Sequence, residues 1–355
     1  MSFSSKVNQI RRVIMQGLAS NIGKSTISKK DYSNNPLQVK RVLICRPNSR
    51  LGNQLLITPL VQELVETFPE CKIDLFVRGF LAPILFENYN NVDRTIKLPR
   101  KPFKELIGYI KVWFSLRKYR YDLVINVSMS SSSGRLSTQL TRSKVKFFNE
   151  DSKELQAKYP DYIHIAKFPV YNLRRYLTQF GIKENNNPVF SLDLKLSPSE
   201  ITNGKNVLDN IVSNTKKTIA IYTFATGSKC YPQSWWEPVY DRLKAEYGET
   251  YNILEVLPVE NVSQIGFKAP SYYSKDIREI GSVIANTELF IGADSGIMHL
   301  ASSVDTPTVG LFSISDIDKY QPYNKGSIAI NTKKTSTEDL IQIISKILSD
   351  KAENK

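Results

Sequence analysis

Two histidines and three cysteines among 355 residues leave this chain few of the side chains that hold transition metals or build disulfide frames. The cysteines (Cys45, Cys71 and Cys230) are odd in number, scattered and without metal-ligand spacing. That argues against a disulfide scaffold and a zinc site, so no metal is expected, and it fits a reduced, cytoplasmic compartment. No apolar run approaches the ~20 residues that a membrane-spanning helix needs. The opening residues lack the long apolar core of a secretory signal, so none is expected. Acidic residues are also in short supply. Against 48 Lys and Arg stand 34 Asp and Glu, a formal net charge of +14. Such a field attracts polyanions, whether nucleic acid, an anionic membrane face or phosphorylated small molecules. Zinc-finger spacing and an RNA-binding aromatic signature are missing too, and nucleic acid is set aside.

What the chain does have is a series of short β-branched runs alternating with helical patterns. RVLICRP (41–47), KIDLFVRG (72–79), RTIKLP (94–99), YDLVINVS (121–128) and KVKFF (144–148) read as strands in the first half. TIAIYTF (218–224), YNILEVLP (251–258), ELFIGA (288–293) and TVGLF (308–312) read as strands in the second. Several are apolar without alternation, as strands covered on both faces are. Strand–helix–strand order predicts an α/β protein with parallel, doubly wound sheets.

The length suffices for two such domains, and the Asn-, Pro- and Ser-rich stretch 183–200 is the linker candidate. The expected division is a basic arm (1–38), a first Rossmann-like domain (39–190), a second (191–335) and a C-terminal helix (336–355). That helix places Leu340, Ile341, Ile344, Ile347 and Leu348 on one face, with Ser336 as N-cap. The arm carries Lys6, Arg11, Arg12, Lys24, Lys29 and Lys30 against Asp31. It is either a solvated arm docked on the first domain or, through Val13, Ile14 and Leu18, an interfacial helix on an anionic membrane. GLASNIGKS (17–25) resembles a P-loop, but five residues rather than four separate Gly17 from Gly23, and no strand precedes it.

FIGADSGIMHLASSVDTP (290–307) carries most of the functional signal. A strand ending at Ala293 and a helix starting near Gly296 would leave several amides facing the carboxyl edge of the sheet, where open α/β sheets bind ligands. Those donors and the positive end of the helix make an anion site. Gly296 would let a phosphate approach the backbone, Asp294 or Ser295 would cap the helix, and His299 would reach a phosphate or sugar oxygen. Taken alone, the same residues also read as an ordinary capping turn beside a structural histidine.

Three stretches then point the same way. LFIGADSGIMHLASSVDTPTVGLF, preceded by a helix with Ser274 as N-cap and Ile277, Ile280 and Ile284 inward, resembles the nucleotide-sugar motif of glycosyltransferase family 9, the ADP-heptose:lipopolysaccharide heptosyltransferases. RVLICRPNSRLGNQLLITPLVQELVETFPECKIDLFV (41–77) resembles that family's N-terminal strand, Leu-Gly loop, Thr-Pro helix and second strand. FATGSKCYPQSWWEPVYDRL (224–243) resembles its donor loop. The resemblance covers roughly residues 41 to 325, in order. It implies the GT-B architecture, two facing Rossmann-like domains with a cleft between them, and an inverting transfer of a sugar from a nucleotide diphosphate to a lipopolysaccharide-core or related glycolipid. ADP-heptose is the favoured donor, as substrate rather than cofactor.

On the donor side the resemblance implies Thr226, Ser228, Lys229, Asp294, Ser295, Gly296 and His299, with Lys229 neutralising the leaving diphosphate. On the acceptor side it implies the loop of Arg50, Gly52 and Asn53. Here the sequence departs from the family, which has a catalytic Asp where this chain has Asn53. An amide positions an attacking hydroxyl but does not take its proton at neutral pH. Three accounts are open: another group, such as His164, a carboxylate or an acceptor phosphate, takes the proton; leaving-group stabilisation suffices; or the protein is a catalytically impaired nucleotide-sugar-binding protein.

Two further segments have double readings. PRKPFKELIGYIKVWFSLRKYRYD (99–122) is dense in basic and aromatic residues, with Ile107, Ile110 and Phe114 on one helical face and Trp113 beside them. It is a surface helix between strands or a device that holds a peripheral enzyme on the inner leaflet. SMSSSSGR (128–135) reads as a connector, alternatively as an acceptor-side loop.

Overall fold

The computed structural model describes residues 23–32, 34–99 and 105–353. It divides into two compact units. The first runs to Phe190 apart from Arg50–Thr58 and Ile84–Asn88; the second takes those two segments together with the chain from Ser191 onward.

The first unit is built on strands β1 (Arg41–Arg46), β2 (Lys72–Arg78), β3 (Val92–Leu98), β4 (Arg120–Asn126) and β5 (Arg142–Phe147), in the order β3-β2-β1-β4-β5. The second unit has β6 (Lys217–Tyr222), β7 (Tyr251–Val256), β8 (Ser271–Tyr272), β9 (Leu289–Ala293), β10 (Thr308–Phe312) and β11 (Ile328–Asn331), in the order β11-β10-β9-β6-β7-β8. All neighbours are parallel. The nine strands expected from the sequence are present within a few residues. The two that escaped are edge strands: β8 has two residues, and β11 buries only Ile330, so neither carries an apolar run.

Arg41 to Arg46 and Leu289 to Ala293 are buried almost continuously, as parallel strands covered on both faces must be. Five helices matter below: α1 (Leu51–Leu55), α2 (Leu106–Ser115), α3 (Ile277–Ala285), α4 (Gly296–Ser302) and α5 (Thr337–Glu353). The C-terminal helix α5 is part of the second unit, because Leu340, Ile341, Ile344 and Leu348 enter the core around Trp236. Ser336 caps it, accepting from the Asp339 amide at 3.1 Å. The cap of α3 is not Ser274 but Asp276, whose carboxylate accepts from the amides of Arg278 and Glu279; Ser274 instead donates to Glu279 and accepts from the Asp276 amide.

The short segment Ile84–Asn88 joins the second unit through a buried arginine. Arg278 donates to the carbonyls of Ile84, Leu194 and Lys195 and to both carboxylate oxygens of Glu200. In the first unit Glu63 and Arg174 form a bidentate pair, at 2.8 and 2.6 Å, with both side chains almost fully enclosed.

Within the arm, Ser25 and Thr26 dock along β5: the Thr26 amide donates to the Lys146 carbonyl at 2.8 Å, and the Phe148 amide donates to the Ser25 hydroxyl at 3.0 Å. Val13, Ile14, Leu18 and most of the P-loop lookalike lie outside the described residues, as do residues 100–104. The segment 128–135 is only partly a connector, since Ser131 caps a helix over Ser132–Leu140. The linker candidate likewise ends in a helix at Pro198, because Ser197 and Glu200 form a reciprocal cap. Among the described residues no helix is long and apolar enough to cross a membrane.

Candidate active site

Strand order decides where ligands meet the second sheet. β6 is flanked by β7 on one side and β9 on the other. Connections leaving β6 and β9 therefore diverge, and their carboxyl ends form the crevice that open α/β sheets use for ligands. The turn Gly227–Lys229 follows β6, and Asp294–Ser295 follows β9. Lys229 and Asp294, 65 positions apart in sequence, meet there in an ion pair between Nζ and Oδ2. Asp294 is 7% exposed in its side chain and Lys229 37%, so the carboxylate anchors a cation that still reaches solvent. The Tyr320 ring lies 5.7 Å from Nζ; nothing in its sequence context singled it out.

Ser295 is the N-cap of α4, its hydroxyl accepting from the Met298 amide at 3.2 Å. The first amides of a helix have no intrahelical acceptor, so the head of α4 presents donors beside the Lys229–Asp294 pair. Thr226 and Ser228 are exposed on the turn that carries Lys229.

Gly296 has a packing task that its sequence did not suggest. The space of a Cβ there is bounded by Leu51 Cβ at 3.0 Å and the Gly52 amide at 3.4 Å. Gly52 answers in kind: a Cβ on it would sit 2.6 Å from His299 Cδ2. Two glycines thus let α1 and α4 approach almost backbone to backbone. The loop of Arg50, Gly52 and Asn53, expected in the first domain, belongs to the second unit for this reason. Arg50 is exposed at the N-cap of α1 and Asn53 is half-buried within it.

His299 is buried, 4% exposed, rather than reaching out from the helix head, and its Nδ1 has no hydrogen-bond partner among the described residues. Burial lowers its pKa to about 4; Asp294 pulls upward against this, and Lys229 pushes further down. The imidazole is therefore neutral at physiological pH. An unfolded chain would take up a proton near the ordinary 6.5, which the native state refuses. This contribution to stability is complete above pH 6.5 and is lost as pH falls toward 4. We expect the melting temperature of His299→Gln to fall less steeply than that of the parent between pH 6.5 and 4.5. Scanning calorimetry across that range checks it, and parallel curves would contradict it.

His164, the alternative proton acceptor, is a buried turn residue of the first unit whose Nδ1 accepts from the Ala166 amide at 3.3 Å. Glu255 escaped sequence reasoning because it sits in an apolar strand. It is fully buried at the carboxyl end of β7 and accepts from Thr223 at 2.6 Å and Ser263 at 2.7 Å. Burial raises its pKa, while those two hydroxyls oppose the rise. It braces the start of the loop leading to Lys229; a lone Glu inside YNILEVLP was the available signal.

Comparison with known proteins bears directly on this geometry. Residues 275–342, spanning α3 to the start of α5, match the family described as glycosyltransferase family 9 (heptosyltransferase). Lipopolysaccharide heptosyltransferase 3 of Escherichia coli is 25% identical over 296 residues, covering 78% of this chain and 85% of that protein. Over these stretches the chain is similar to glycosyltransferase family 9.

Its fold agrees with solved structures of similar proteins. The family 9 structure from Veillonella parvula DSM 2008 superposes with a TM-score of 0.70 at 18% identity, covering 89% of this chain and 99% of that one. The E. coli heptosyltransferase WaaC, solved with ADP-2-deoxy-2-fluoro heptose, superposes with a TM-score of 0.62 at 17% identity, covering 86% and 99%. Both units are parallel-sheet α/β domains of the GT-B type. An impaired binding protein finds no support in these likenesses.

Proposed function

We propose that the protein transfers heptose, with inversion, from ADP-heptose to a lipopolysaccharide-core type glycolipid, working at an anionic membrane face. The observation that carries this reading is the Lys229–Asp294 pair at the head of α4. A cation fixed by a buried carboxylate, beside helix amides, suits a diphosphate better than a neutral ligand. Support for the donor comes from the ADP-linked heptose bound by the E. coli relative. Support for the acceptor comes from the lipopolysaccharide named for the E. coli sequence relative.

In the transfer, the bond from the anomeric carbon to the β-phosphate oxygen breaks, and its electron pair leaves with ADP. Lys229 and the α4 amides are placed to meet that growing charge. An acceptor hydroxyl attacks from the opposite face, oriented by the Asn53 amide. Its proton passes to water or to an acceptor phosphate as the new bond forms, since Asn53 cannot take it.

A thermal-shift screen tests the donor. At a hundred times its Kd a ligand selective for the native state adds about 2.7 kcal/mol. ADP-heptose should raise the melting temperature well above UDP- or GDP-linked sugars. Transfer to a lipopolysaccharide-core acceptor should follow, several-fold slower in Asn53→Ala. Equal stabilisation by all three nucleotides, or none by ADP-heptose, overturns the donor assignment.

A further inference from the structure

Helix α2 is apolar on both sides, which a surface helix has no reason to be. One side, with Tyr109, Val112 and Trp113, packs on the core around Phe76 and Leu98. The opposite side carries Ile107 (71% exposed), Ile110 (45%) and Phe114 (71%), with Leu106 (54%) at its margin. Residues 107, 110 and 114 share a face because 3.6 residues make a turn. Nothing among the described residues covers them.

The chain leaving α2 runs into a cavity of about 600 Å³ at the amino ends of β4 and β5. Arg117, Arg120, Arg142, Lys144 and Lys146 line it. Its one acid, Asp122, is held by Lys144 at 2.7 Å and by the amides of Lys40 and Arg41. Lys146 donates to the Gln139 carbonyl. Arg117, Arg120 and Arg142 have no carboxylate partner among the described residues.

We infer that the exposed face of α2 and the Arg117–Arg120–Arg142 cavity together dock the enzyme on an anionic phospholipid bilayer. The inference rests on the membrane partner proposed above and assigns it a surface. Side chains such as Ile107 and Phe114 bury ~5–10 Å into the headgroup boundary, while the arginines meet lipid phosphates. Charge selects this occupant over a second copy of the chain, which would set the same unpaired cations against each other. The aliphatic face selects it over a nucleic acid, which offers Ile107 and Ile110 no apolar phase.

Flotation with phosphatidylcholine vesicles, with and without phosphatidylglycerol, tests the assignment. The variants are Ile107→Glu/Phe114→Glu and Arg117→Ala/Arg120→Ala/Arg142→Ala, all at exposed positions outside the active site. Circular dichroism and transfer to a soluble acceptor fragment confirm that they remain folded and active. The parent should float with phosphatidylglycerol only. The glutamate pair should bind at least ten-fold more weakly, and each lost arginine should cost roughly five-fold at low salt. If the variants float like the parent, this face is not the dock, although a membrane partner survives. If the parent does not float, both membrane statements fall, while transfer to the soluble fragment keeps the catalytic reading intact. A dimer in solution that Phe114→Glu dissociates overturns the inference in favour of a second copy.

Discussion

Lys229→Ala should slow sugar transfer by about 100- to 1,000-fold, the loss seen when one preorganised charge-stabilising group is removed from an active site. The expectation follows from how the lysine is held. Its ammonium is paired with a carboxylate that is almost fully enclosed, so it does not have to be found and ordered as the diphosphate leaves. Most of the loss should fall on kcat, because charge on the leaving oxygen grows between ground and transition state. Lys229→Arg should recover part of the rate: the charge remains, but a planar fork does not reproduce the point contact of an ammonium. Steady-state rates of ADP release measure both. A kcat for Lys229→Ala within three-fold of the parent would remove the lysine from the mechanism.

Glu63→Ala should destabilise the protein by about 3–5 kcal/mol, because it leaves Arg174 charged and enclosed without its partner. Arg174 donates through Nε and a terminal nitrogen to both Glu63 oxygens, and through the other terminal nitrogen to the Asn187 carbonyl at 2.6 Å. Asn185 adds a fourth bond to the cluster, 3.2 Å from Glu63. Replacing both partners, as in Glu63→Leu/Arg174→Met, should cost much less than either single change, since no charge is then stranded. Urea unfolding of the three variants decides the matter. A double variant as unstable as Glu63→Ala would show that the pair itself, rather than the orphaned charge, carries the energy.

Much of this architecture was legible because parallel strands announce themselves. A strand covered on both faces has to be apolar throughout, and RVLIC or LFIGA stands out against any background. The break at Asp294–Ser295–Gly296 was legible for the same reason: polar residues directly after a buried strand mark its carboxyl edge. The pairing of Lys229 with Asp294 depends on β6 lying beside β9, and strand order is not written locally. Ser274 and Asp276 are both good caps, and only the trajectory of the chain chooses between them. The exposure of Ile107 and Phe114 depends on which side of α2 the sheet takes, a question their periodicity leaves open. The packing role of Gly52 and Gly296 was not legible either. Gly296 looked like room for a phosphate, yet it also makes room for Leu51 and the Gly52 amide, while Gly52 makes room for His299.

That contact also bears on how the chain is assembled. Arg50–Thr58 leaves the ribosome long before the strands that will surround it, and it rests in the second unit while the residues on either side of it build the first. The half that carries Lys229 and His299 is therefore not an autonomous segment. A protein trimmed to begin at Ser191 would keep every donor-side residue yet lose Leu51, which closes on Gly296, and Gly52, which lies against His299. Its imidazole would be wetted and its pKa released toward the ordinary value. Fusing or swapping halves between relatives would have to carry that short upstream stretch along.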